Sequence, residues 1–99
     1  MKVYKRLKET VRPAPEGRHI LLMMAHYWGK GPTLEKAFHE LREASYGGLN
    51  AKTHVIGFHV HPDSYVDGMG GIVSPAGCRP VKVGACNIPD GQRMKHEVY

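Results

Sequence analysis

The hydrophobic positions of this chain change period several times, and each change marks an element. Val3, Leu7 and Val11 recur every fourth position with Lys5, Arg6, Lys8 and Arg12 between them. That is a helix-like stripe, too short to persist unless its apolar side docks on something. Arg12-Pro13-Ala14-Pro15-Glu16-Gly17 then interrupts regular structure and reads as a linker. Arg18 to Trp28 holds the most apolar run, Ile20 to Ala25, followed by His26, Tyr27 and Trp28. Its Leu, Met and Ala content suits a helix, whereas its shortness between Gly17 and Gly29 and its aromatic end predict a single buried strand.

The period changes again after Pro32. Thr33 has the chemistry of an N-cap, Glu35 sits where a helix dipole favours a carboxylate, and Leu34, Ala37, Phe38, Leu41 and Ala44 share one face. Lys36 and Glu40 form an outer i,i+4 pair, and Tyr46-Gly47-Gly48 supplies a stop, so a helix is expected over 33–46. From Thr53 to Val60 the alternation is that of a strand, with His54, Ile56, Phe58 and Val60 on one face. His61-Pro62-Asp63-Ser64 has the residues of a type I turn. Tyr65-Val66 and Ile72-Val73 flank a glycine-rich stretch from Asp67 to Gly71 and suggest a hairpin. Val81 to Val83 suggest an edge strand, and Pro89-Asp90-Gly91 opens a loose end.

This order predicts an α+β fold, β-α-β-β with an optional further strand, in which one central helix packs on a mostly antiparallel sheet. The expected division is a basic N-terminal arm or short helix with its linker over 1–17, a single core domain over 18–86, and a tail over 87–99. The stretch Tyr27-Trp28-Gly29-Lys30-Gly31-Pro32-Thr33-Leu34-Glu35-Lys36-Ala37 resembles the strand–glycine–helix segments of small phage-type proteins. The resemblance covers about a tenth of the chain and implies no activity.

Length and charge narrow the class. Ninety-nine residues suffice for one modest core. The net charge of +5 is concentrated at the ends: residues 1–18 hold six Lys/Arg against two Glu, while the middle is nearly neutral. A basic end steers toward nucleic acid or an acidic partner, or serves only as a solvated tail. Met1 to Glu9 is charged and no apolar run is long enough to span a bilayer, so a cytoplasmic protein without membrane contact is expected. Two cysteines, Cys78 and Cys86, are too few for a disulfide scaffold and read as buried thiols.

Three constellations carry candidate chemistry. Gly29-Lys30-Gly31-Pro32-Thr33 precedes the helix, where unpaired N–H groups and the dipole favour an anion. The glycines would allow close approach, Lys30 would add charge and Thr33 a hydroxyl; the alternative is a tight turn with Lys30 in solvent. Tyr27 and Trp28 beside this turn offer flat faces on which bases stack, unless Trp28 is core. The third set is His59 and His61, two apart on a strand, with His26 or Asp63 as a further ligand for a divalent transition metal; a surface pair is the plainer account. Ser45, Ser64 and Ser74 lack a nucleophile-elbow context.

The favoured expectation is a non-catalytic binding protein without a cofactor, recognising nucleic acid, a small phosphorylated ligand or an acidic protein surface through Tyr27, Trp28, Gly29, Lys30, Gly31 and Thr33. The alternatives are a small metal-dependent enzyme using the histidine pair, and a structural protein that pairs with further copies of itself through a sheet edge.

Overall fold

The structure is a computed structural model and describes residues 2–24, 26–45 and 54–87, with the side chains of 2, 3, 86 and 87 outside the description. The expected helix stop at Tyr46 to Gly48, the turn at Pro89 to Gly91 and the C-terminal tail therefore lie outside the described residues.

The elements run α1 (Lys2–Thr10), β1 (His19–Met23), β2 (Trp28–Gly31), α2 (Leu34–Ala44), β3 (His54–Val60), β4 (Tyr65–Val66), β5 (Ile72–Val73) and β6 (Val81–Asn87). Four strands form an antiparallel sheet in the order β2-β1-β3-β6, and β4 and β5 form a separate hairpin. The α+β expectation holds, with a sheet that is antiparallel throughout its described pairings.

One core joins both helices to one sheet face. Leu7 and Val11 from α1 and its exit meet Ala37, Phe38 and Leu41 from α2 over Ile20, Leu22, Val55 and Val83 of the strands. Leu7 and Val11 of the four-residue spacing read in the sequence are thus docked, on the sheet and α2 together. Tyr4 extends the contact, its ring 5.2 Å from that of Phe38. Helix α2 begins where Thr33 caps it: its hydroxyl accepts the Lys36 N–H at 3.2 Å. Lys36 and Glu40 pair at 3.1 Å on the outer face, and Ala44, assigned to the inner face by spacing, is exposed.

The segment 18–28 is not one strand. Met24 N–H donates to the Tyr27 carbonyl at 2.9 Å, closing a tight turn between β1 and β2. Ile20 then pairs with Gly31, Leu21 with Lys30, Leu22 with Gly29 and Met23 with Trp28. The correction moves Gly29-Lys30-Gly31 from an open turn into an edge strand under α2. Further along, the 61–64 turn forms as expected, Ser64 N–H donating to the His61 carbonyl at 2.9 Å. Asp67 organises the β4–β5 loop by accepting from Met69 N–H and Gly71 N–H, each at 2.9 Å.

Candidate functional site

Strand alternation sorts the glycine-lysine-glycine segment. Gly29 and Gly31 point to the helix side, and Lys30 to the opposite face beside Leu21. Both glycines are buried because α2 lies directly on them: a Cβ on Gly29 would sit 2.2 Å from Leu41 N and 2.5 Å from Ala37 O. Neither has a positive φ. Their role is to let a helix approach a strand, so the premise that they leave backbone N–H groups uncovered for a ligand does not hold. The Lys30 ammonium is also occupied, donating to the carbonyl of Pro62 and, at 2.6 Å, to that of Ser64. Of the six residues singled out from the sequence, Trp28, Gly29 and Lys30 border one hollow of about 510 Å³ together with Glu40 and Glu43 of α2, whereas Gly31 lies under α2 and Thr33 stands at the helix cap. Tyr27 is exposed and edge-on to His26, their ring centroids 6.5 Å apart, while Trp28 is half-buried.

The histidines do not converge either. His61 lies just beyond β3, so the strand spacing that would align it with His59 ends before it. His59 Nε2–H donates to the Arg12 carbonyl at 2.8 Å, tying the α1 exit to β3. His61 Nδ1 accepts the Asp63 N–H at 3.0 Å, so its neutral ring braces the turn; the Asp63 carboxylate, 3.9 Å away, is a through-space neighbour. Among the described residues no three His, Cys, Asp or Glu side chains gather as a metal would require. Cys78 is a free, half-buried thiol, and the side chain of Cys86 is outside the description.

What the fold does assemble is a basic surface on α1. Burial of Leu7 and Val11 fixes the roll of the helix, and that roll leaves Lys5, Arg6, Lys8 and Arg12 exposed with Glu9 the one acidic residue among them. No acidic residue occupies the first turn of α1 to offset its positive end. Lys8 lies over the Tyr4 ring at 5.7 Å. Beside it runs a groove of about 460 Å³ between α1 and the start of α2, floored by Tyr4, Ala14, Ile20 and Leu34 and rimmed by Lys8, Thr33 and Glu35. The sequence left a basic arm or a short helix open here, and the structure forms the helix, with Leu7 of its apolar spacing docked on the core.

No helix among the described residues is long and apolar enough to cross a membrane. The chain matches no known family model, and comparison with curated proteins and with solved structures finds no match.

Proposed function

We propose that the protein is a non-catalytic binding protein for an anionic partner, with nucleic acid the class that fits best. One observation carries this reading: α1 and its exit are docked on the core through Leu7 and Val11, while Lys5, Arg6, Lys8 and Arg12 are exposed. Cations on a fixed scaffold neutralise successive phosphates at less entropic cost than cations on a loose tail, and neutralisation releases condensed counterions. The groove beside Lys8 adds an aromatic wall from Tyr4 and a volume of about 460 Å³, within the range that takes a single nucleotide unit.

The test is anisotropy titration with labelled single- and double-stranded oligonucleotides over a salt series. Affinity is expected to fall with salt, log K against log salt having a slope near −0.7 to −0.9 per phosphate neutralised. The triple variant Lys5→Glu, Lys8→Glu, Arg12→Glu should bind roughly a hundredfold more weakly at an unchanged unfolding midpoint, with the single variant Arg79→Glu, outside α1, as charge-reversal comparison. Absence of binding at about 50 mM salt, or equal affinity in the triple variant, refutes the nucleic-acid reading.

A further inference from the structure

The sheet face turned away from the helices carries a second arrangement. Leu21 and Val60 lie on it by strand alternation, yet both are buried, and the Lys30 contacts bring the 61–64 turn over the same face. Ser64 is fully buried there, its hydroxyl 2.8 Å from that of Ser74, which ties the turn to the β4–β5 hairpin. Lys30 donates to two backbone carbonyls of the turn.

His19 stands next to this anchor. It lies on β1 two residues before Leu21, the cross-strand partner of Lys30, so His19 and Lys30 are diagonal neighbours on one face. Its Nδ1 is completely buried and has no hydrogen-bond partner. We propose that His19, Lys30 and the 61–64 turn form a proton-operated latch that holds the 61–74 segment over the sheet and releases it in acid.

The neutral imidazole leaves one unfilled lone pair, a modest cost. Protonation converts Nδ1 into a donor with no acceptor, buried near an ammonium, and both conditions disfavour the cation. Accordingly burial, reinforced by Lys30, holds the His19 pKa below its ordinary value of 6.5; the Asp63 carboxylate opposes this and His61 adds to it. Those three are the charged or titratable groups acting on His19, from β2 and from the turn. Asp63 is the one negative charge among them, and its side chain is exposed, so it offsets burial and Lys30 only in part; an imidazolium at position 19 regains its hydration when the turn lifts. Because the closed state holds this histidine's pKa below its unfolded or open value, closure is fully supported above that ordinary value. The support is lost as pH falls below it.

Amide hydrogen exchange, corrected for intrinsic rates, reads the latch at Ser64, Asp67 and Gly70, whose N–H groups close the turns of this segment. Between about pH 7.5 and about pH 5 their protection is expected to drop roughly fivefold or more, while the α2 and β1 amides hold theirs. His19→Gln should flatten the dependence, and Lys30→Met should lower protection at both pH values. NMR titration of the unsubstituted protein supplies a check that depends on no variant: His19 should titrate below its ordinary value of 6.5. Protection that is independent of pH, equal loss in the core amides, a pH response that survives His19→Gln, or a His19 titrating at or above its ordinary value overturns the proposal.

Discussion

Replacing Gly29 with Ala separates two accounts of the glycines in β2. The added Cβ would meet Leu41 N at 2.2 Å, Ala37 O at 2.5 Å and Leu41 Cα at 2.7 Å, all backbone atoms of α2. No rotamer change relieves such a clash. To restore ordinary contact near 3.5 Å the helix must move outward by about 1 Å, loosening Ala37, Phe38 and Leu41 together. Overpacking of this kind costs about 1–3 kcal/mol, and contact with rigid backbone at several points puts Gly29 at the upper end. The stiffer unfolded chain returns about 0.4–1 kcal/mol, leaving a net loss near 2 kcal/mol. For a chain of this length that lowers Tm by roughly 8–16 °C. Gly31→Ala should cost less, because its nearest obstacles at 2.5 and 2.7 Å belong to the Lys36 side chain, and Gly68→Ala, with nothing within 4 Å, should be nearly neutral. Thermal and urea unfolding followed by far-UV circular dichroism would give the order. A Gly29→Ala protein with unchanged Tm but weakened ligand binding would refute the packing account and restore the view that the glycine makes room for a ligand.

Other expectations follow from the same contacts. Phe38→Ala should destabilise by about 3–5 kcal/mol, read as a lower urea midpoint, since the ring is fully buried. Leu7→Ala should cost about 2–5 kcal/mol by the same measurement, a result that a solvated N-terminal arm would not give. Thr33→Ala should lose about 1 kcal/mol with the cap to Lys36 N–H. Lys36→Ala should fall within about 0.5 kcal/mol of the parent, because its pairing with Glu40 is half-exposed.

The parts of the fold that rest on local pattern were legible. The cap at Thr33, the face of Ala37, Phe38 and Leu41, the alternation over 54–60 and the turn at 61–64 each depend on residues close in sequence. The β1–β2 turn was not legible because residues 24–27 carry neither glycine nor proline, the usual marks of a reversal. Missing that reversal also misplaced Gly29 and Gly31, whose burial is set by α2 returning over β2. Lys30 was misjudged for a related reason: its partners, Pro62 and Ser64, lie more than thirty positions away, beyond any local rule. The basic character of the N-terminus was plain from composition, but the seat of its helix is made by contacts with β6 and α2, distant in sequence.

The seating of α1 on β6 also bears on the order in which this chain acquires its structure. A Cβ on Gly84 would lie 2.3 Å from the Thr10 carbonyl, so the first described element closes against the last one, across most of the sequence. An isolated nine-residue helix is marginal in water, and α1 emerges from the ribosome long before its seat. Until β6 has been synthesised, Leu7 and Val11 have only part of their burial, and the sheet lacks its fourth strand. Folding is therefore a late, all-at-once event with a high contact order, slower than that of a helical bundle of equal length. A nascent chain stalled before residue 81 should expose its apolar sheet face, which makes this interval the one in which chaperone binding or aggregation competes with folding.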